Sequence, residues 1–130
     1  MSKGLIILIA EGNPQINNLI KNELAPESNF VFTAKDMGQL KSWIYLRRAP
    51  DIIVLDLELP GLEKQDILEL LDFYPQTPVI LHCLPGNEWL NVNSGEQLIP
   101  VLKDGNSIAF IMQRIHQMCG DDLSVEMIDL

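Results

Sequence analysis

The chain has 130 residues, a length typical of a single domain, and it carries eighteen acidic and nine basic residues for a net charge of −9. Its 47% hydrophobic and 21% charged residues are ordinary for a folded protein and exclude wholesale disorder. The few basic residues are spread along the chain and disfavour direct nucleic-acid binding, and no apolar run approaches the roughly 18 residues of a membrane span. We therefore expect a cytoplasmic protein without a membrane segment.

Five short apolar segments are predicted to be strands, and most of them are apolar at successive positions. That pattern is typical of strands that are buried on both faces of a parallel sheet. In chain order the segments are Leu5–Ala10, Phe30–Thr33, Ile52–Leu55, Pro78–Cys83 and Leu98–Leu102.

Helical patterns lie between the strand candidates. Asn13 and Pro14 are suited to the start of a first helix, Asp36 to the start of a second, and Pro75 ends a third. The last helix is predicted to start at Asn106 or Ser107. The apolar stripes in chain order are Ile16, Leu19, Ile20 and Leu24; Leu40, Trp43, Ile44 and Leu46; Ile67, Leu70, Leu71 and Tyr74; and Ile108, Ile111, Ile115 and Met118.

Two segments carry weaker signals. Residues 84–97 hold two glycines and three asparagines, so the fourth helix of the alternating pattern is predicted to be short or irregular. Residues 119–130 are acidic and are interpreted as a tail, a linker stub or an appended helix, which leaves residues 1–118 as the folded domain. Trp89 is interpreted as a local packing residue, with an anchor for a partner protein as the alternative. His82 is predicted to pack in or beside the core with one hydrogen bond.

The alternation of strands and helices predicts an α/β fold, a doubly wound, five-stranded parallel sheet with helices on both faces. A flavodoxin-like strand order, 2-1-3-4-5, is expected for it. Functional residues of such sheets lie at the carboxyl ends of the strands. Glu11 and Gly12 follow the first strand, Asp56 the third, Cys83 the fourth and Lys103 the fifth. Two carboxylates that face one lysine suit a hard divalent cation and a transferred phosphoryl group.

Four segments make residues 4–118 resemble the response-regulator receiver domain of two-component phosphorelays. They are ILIAEGNP, PDIIVLDLELPG, TPVILHC and IPVLK. The resemblance implies that Asp56 accepts a phosphoryl group from a histidine kinase or a phosphotransfer protein, and that Lys103 contacts this group. It also implies a Mg²⁺ ion bound by Glu11, by Asp56 and by the backbone carbonyl of Glu58, and it places Cys83 beside the phosphoryl group.

Four positions depart from the pattern of that family. Gly12 replaces the second acid after the first strand, which removes one carboxylate and predicts weaker Mg²⁺ binding. Cys83 replaces a hydroxyl residue and is a much weaker donor. Pro100 stands where an aromatic switch residue is usual, and Asp104 replaces a proline and adds a negative charge beside Lys103.

These departures leave two functions open on the sequence alone. In the first, the chain is a non-enzymatic receiver domain that is phosphorylated on Asp56 and regulates a partner or an output domain. In the second, it is a pseudo-receiver that acts as a phosphorylation-independent interaction module. Its partner would dock on the face formed by strand four, strand five and the last helix. A homodimer is the alternative to a different partner protein. A flavodoxin-like cofactor binder is disfavoured because no glycine-rich or Ser/Thr-rich phosphate loop is present.

Overall fold

The computed structural model describes residues 5–24, 30–44, 49–87 and 97–128, with side chains of the last helix described as far as Met118. All five predicted strands are present in one sheet, and every pairing in it is parallel. The strand order is β2-β1-β3-β4-β5, as predicted. The strands are β1 (Ile6–Ala10), β2 (Phe30–Ala34), β3 (Ile52–Asp56), β4 (Val79–Cys83) and β5 (Leu98–Leu102).

Helices cover both faces of the sheet. In chain order they are α1 (Pro14–Leu24), α2 (Met37–Ile44), α3 (Lys64–Phe73) and α4 (Ser107–Ile128). One face packs against α1 and α4 through Ile20, Leu24, Ile111 and Ile115, all at most 1% exposed. The other face packs against α2 and α3, chiefly through buried leucine, isoleucine and methionine side chains. Each such side chain contributes about 1.5–3 kcal/mol on burial, so both layers of helices are held firmly to the sheet.

Local signals in the sequence set the helix ends. The Asp36 carboxylate accepts the Gln39 N–H at 2.8 Å at the start of α2. The Glu63 N–H donates to the Asp66 carboxylate at 2.9 Å at the start of α3. Both bonds satisfy backbone donors that a helix terminus otherwise leaves unpaired.

The buried face of α1 differs from the predicted stripe at one position. Leu19 is 49% exposed, whereas Asn17 is only 6% exposed. Asn17 lies one turn before Ile20 and two turns before Leu24, at the i, i+3 and i+7 spacing of one helix face, and Leu19 points away from it. An amide is tolerated there because its Nδ2 donates to the main-chain carbonyl of Glu11 at 2.5 Å.

Two of the sequence predictions meet the limits of the described chain. Residues 88–96 lie outside it, so the short fourth helix and Trp89 are not described. Helix α4 runs on through residues 119–128, the segment interpreted as a tail, a linker stub or an appended helix. Within the described residues no helix is both long and apolar enough to cross a membrane.

Candidate functional site

An open cleft of about 670 Å³ lies at the carboxyl ends of the strands. Of the residues that the sequence predicted for the site, it brings together Glu11, Asp56, Glu58 and Lys103. Its walls come from the ends of β1, β3, β4 and β5, from the loop after β3 and from the first turns of α1 and α4. The lining residues are Glu11, Gly12, Asn13, Ile16, Asp56, Glu58, Pro60, His82, Lys103, Asp104, Ser107 and Ile108.

Asp56 is the last residue of β3 and is 3% exposed. Its Oδ1 atom lies 2.5 Å from Lys103 Nζ and accepts the Glu58 N–H at 2.9 Å. Burial raises the pKa of Asp56. Hydrogen bonds with the side chains of Glu11 and Lys103 and with the Glu58 N–H lower it, as does the positive charge of Lys103. Together they outweigh burial and hold the pKa of Asp56 below its ordinary value. The carboxylate is therefore ionised and paired with a lysine that remains 21% exposed to the cleft.

Glu11 is 3% exposed and is held at both its main chain and its side chain. Its N–H donates to Ala34 O at 2.9 Å, and its carbonyl accepts the amide of Asn17. Its Oε2 atom accepts the Asn13 N–H at 3.2 Å. The glutamate side chain lies in the cleft, where a hydrogen bond to Asp56 contributes to the low pKa of that residue.

Gly12 packs against the loop that follows β3. A Cβ atom at this position would lie 3.0 Å from Pro60 Cδ, closer than side chains normally approach one another. The Pro60 carbonyl in turn accepts the Met37 N–H at 2.9 Å, which ties the loop to the start of α2. The loop after β3 therefore occupies space that the side chain of a second acid at residue 12 would need.

Cys83 does not line the cleft. It is 0% exposed in the core layer under α2 and α3, and its thiol donates to Leu81 O at 3.3 Å. Burial raises the pKa of Cys83, the Lys103 charge opposes this and the Asp56 charge adds to it, and the resulting pKa is about 11. The Cys83 thiol is not among the side chains that line the cleft. Contact between Cys83 and a phosphoryl group remains a prediction.

Asp104 supports the first turn of α4 from the rim of the cleft. Its Oδ1 atom accepts the Asn106 N–H at 2.8 Å, and its carbonyl accepts both the N–H of Ser107 at 3.3 Å and the hydroxyl of Ser107 at 3.1 Å. The Asp104 carboxylate, which lies next to Lys103 in the sequence, therefore stabilises the turn at which α4 begins.

His82 is the site residue that the sequence analysis assigned only to the core. The expected burial and single hydrogen bond are confirmed, because it is 3% exposed and its Nε2 lies 2.8 Å from Ser107 Oγ. Its Nδ1 atom, however, faces Glu11 Oε1 at 3.6 Å. The alternation of side chains along a strand could have indicated this position. His82 pairs with Asp56 in the β3–β4 register, near the end of β4.

The donors in the cleft are suited to a hydrated hard cation. The Glu11 and Asp56 carboxylates and the backbone carbonyl of Glu58 are oxygen ligands, which Mg²⁺ prefers, and Mg²⁺ usually keeps several waters. Within the described residues no three His, Cys, Asp or Glu side chains form a metal cluster. The residues present therefore fit an ion that is held by few protein ligands and completed by water.

Solved structures with the same fold are receiver domains. One is a CheY-like response regulator receiver domain from Methanospirillum hungatei, with a TM-score of 0.70 and 21% identity over 89% of this chain and 94% of that one. Another is a response regulator receiver domain from Bacillus halodurans, with a TM-score of 0.68 and 15% identity over 86% of this chain and 97% of that one. The chain has the receiver fold.

Sequence relatives among curated proteins agree with the fold. Response regulator GtcR of Aneurinibacillus migulanus is 34% identical over 76 residues, which are 58% of this chain and 31% of that protein. Protein-glutamate methylesterase/protein-glutamine glutaminase 4 of Anaeromyxobacter dehalogenans is 34% identical over 77 residues, 58% of this chain and 21% of that protein. No protein-family model matches the chain. The receiver-like domain thus spans less than a third of either curated relative.

Proposed function

We propose that the chain is the receiver domain of a phosphorelay and that Asp56 accepts the phosphoryl group. The contact of 2.5 Å between Lys103 Nζ and Asp56 Oδ1, at the end of the central strand β3 and facing an open cleft, is the observation that carries this proposal. The lowered pKa of Asp56 supports it because an acceptor must be an ionised carboxylate to act as a nucleophile.

In the transfer step an Asp56 oxygen forms a bond to phosphorus while the bond between phosphorus and a donor nitrogen breaks. The electron pair of the broken bond stays on the donor imidazole, and the product is an aspartyl phosphate. We expect Lys103 to compensate the charge on the phosphoryl oxygens once its contact with the free carboxylate is given up. Little covalent chemistry is asked of the other residues, which orient the acceptor and shape the cleft.

Mg²⁺ would be held by Glu11, Asp56 and the Glu58 carbonyl, and when bound it supplies charge neutralisation for the phosphoryl group. Gly12 leaves one position to water. We expect weaker Mg²⁺ binding than in a site with two acids after β1, since each lost carboxylate removes a charged ligand. The Glu58 N–H donates to Asp56 Oδ1 at 2.9 Å and so holds the loop that carries the Glu58 carbonyl beside the acceptor.

Incubation with acetyl phosphate and Mg²⁺, followed by intact-mass measurement, tests the proposal. The protein is expected to gain one phosphoryl group, which is lost on treatment with alkali because an acyl phosphate is labile. Asp56→Asn should abolish the gain, and Asp72→Asn, on the exposed face of α3, should retain it. A gain that persists in Asp56→Asn, or no gain at millimolar Mg²⁺, would contradict the proposal.

The partner that we propose is a histidine kinase or a phosphotransfer protein. Apolar side chains exposed near β4, β5 and α4 support a docking face there, since Leu84, Leu102 and Phe110 are each at least 40% exposed. Leu102 and Phe110 line one shallow groove, and Leu84 directly follows β4. A homodimer through the same face is the other assembly to test, by light scattering with and without acetyl phosphate. The prediction that the chain is not an enzyme stays a prediction.

A further inference from the structure

His82 lines the cleft between a carboxylate and a hydroxyl. Its Nε2 atom is 2.8 Å from Ser107 Oγ, and its Nδ1 atom is 3.6 Å from Glu11 Oε1. All three residues are at most 4% exposed. The proposed phosphoryl transfer uses Glu11 as an ion ligand and assigns no role to His82 or Ser107.

The pairing of buried polar atoms favours a proton on the His82 nitrogen that faces Glu11. The Ser107 hydroxyl has one proton and two acceptors within reach, His82 Nε2 at 2.8 Å and the Asp104 carbonyl at 3.1 Å. If the carbonyl takes this proton, a bare Nδ1 faces the carboxylate and two buried acceptors repel. If Nε2 takes it, Nδ1–H points at the carboxylate, and the carbonyl still accepts the Ser107 N–H at 3.3 Å. The second arrangement is favoured because a buried acceptor without a donor is costly.

A proton on Nδ1 brings the second oxygen of the Glu11 carboxylate under restraint. The first oxygen, Oε2, already accepts the Asn13 N–H at 3.2 Å. With His82 Nδ1–H facing Oε1, groups from β4 and from the turn before α1 engage both oxygens and limit rotation of the carboxylate. Strand β3, which ends in Asp56, lies between β1 and β4 in the sheet. The contact between Glu11 and His82 therefore spans the strand that carries the acceptor.

We propose that His82 is a positioning residue: its Nδ1–H holds Oε1 of Glu11, and the Ser107 hydroxyl orients the ring by donating to Nε2. The inference rests on the proposed function and deepens it, because Glu11 is the carboxylate after β1 that the Mg²⁺ site would use. Mg²⁺ demands near-ideal octahedral geometry, so a ligand oxygen that is fixed in advance binds it better than one that rotates freely. With Gly12 as the next residue, no second acid shares this task.

The position of the proton can be tested without any metal. Long-range proton–nitrogen correlation spectra of the isotope-labelled full chain distinguish a ring nitrogen that carries a proton from one that does not. The chain has two histidines, so His116→Gln leaves His82 as the single imidazole in the spectrum. We expect a proton on Nδ1 at pH 7, and a ring whose only proton is on Nε2 would overturn the inference.

Two substitutions at His82 separate positioning from packing. The amide nitrogen of asparagine falls near the place of Nδ1, and that of glutamine near the place of Nε2, because their side chains have the matching lengths. His82→Asn therefore keeps a donor for Glu11, whereas His82→Gln keeps only the contact with Ser107. Calorimetric titration with Mg²⁺ should show binding weakened by about tenfold in His82→Gln and by much less in His82→Asn. A packing role alone would reverse this order, since glutamine is closer to histidine in size.

The matched control is His116→Gln on α4, which should bind Mg²⁺ as the unaltered protein does. Circular dichroism should show that each variant is folded. A His82→Asn protein that binds Mg²⁺ no better than His82→Gln would overturn the inference and leave the proposed function standing. Failure of the unaltered protein to bind Mg²⁺ would overturn both.

Discussion

Gly12 and Pro60 are in contact across the mouth of the cleft, with only 3.0 Å between Pro60 Cδ and the point where a Cβ of residue 12 would stand. The glycine at residue 12 therefore allows the loop after β3 to pack where the side chain of a second acid would stand. An aspartate at residue 12 would have to displace a proline ring whose own carbonyl is bonded to the start of α2.

Gly12→Asp is expected to destabilise the protein by about 1–3 kcal/mol, the usual cost of forcing atoms into a packed contact. In a Pro60→Ala background the cost should fall, because alanine has no Cδ. Urea denaturation of the four proteins measures the difference, and any repulsion among the acids cancels between the two backgrounds. Mg²⁺ should bind the double variant more tightly than the unaltered protein. The same cost of Gly12→Asp in both backgrounds would show that Pro60 does not exclude the acid.

Lys103→Met is expected to destabilise the protein at pH 7 by about 1–3 kcal/mol, because it leaves the buried Asp56 carboxylate without its cation. We expect the lower half of this range since Lys103 is partly exposed. Adding Asp56→Asn to the variant should recover much of the loss. Lys35→Met, at an exposed lysine, serves as the control for loss of one positive charge.

The effect of Lys103→Met should shrink in acid. The pKa of Asp56 is lower in the folded protein than its ordinary value, so its pairing stabilises the fold at pH values above about 4. That contribution is lost as the pH falls through the lowered pKa, where the carboxylate becomes protonated in the folded state as well. Denaturation of both proteins between pH 7 and pH 3 checks the sign, and a difference that grows in acid would contradict it.

Cys83 is expected to resist thiol reagents in the folded protein. Burial raises its pKa to about 11, so at pH 8 far less thiolate is present than for a free cysteine with a pKa of about 8.5. In Cys119→Ala protein, where Cys83 is the remaining thiol, labelling at pH 8 should be about 200-fold slower than in guanidinium, in proportion to the thiolate fraction. Equal rates would mean that Cys83 is accessible, and Cys83→Ser supplies the blank.

The site was predictable where a residue's role depends on its place at the end of a strand. Glu11, Asp56 and Lys103 follow apolar runs, and the carboxyl ends of parallel strands lie at one edge of the sheet, so their convergence follows from order alone. The position of His82 in the cleft, beside Glu11, was not predictable in this way. A histidine inside a buried run reads as a core residue until the β3–β4 register and the position of Ser107 are known.

The sequence by itself determined the alternation of buried strands and helices and the acidic strand ends with one lysine, because periodicity and strand ends are properties of the chain in one dimension. The strand order was expected from the flavodoxin-like pattern, and the pairing of the strands confirms it. Tertiary structure decided which neighbours these residues meet. In the folded protein Cys83 is buried in the core and Pro60 packs against Gly12. His82 lies 3.6 Å from Glu11. Those contacts depend on distances between elements far apart along the chain, and only the packing of helices and loops on the sheet sets those distances.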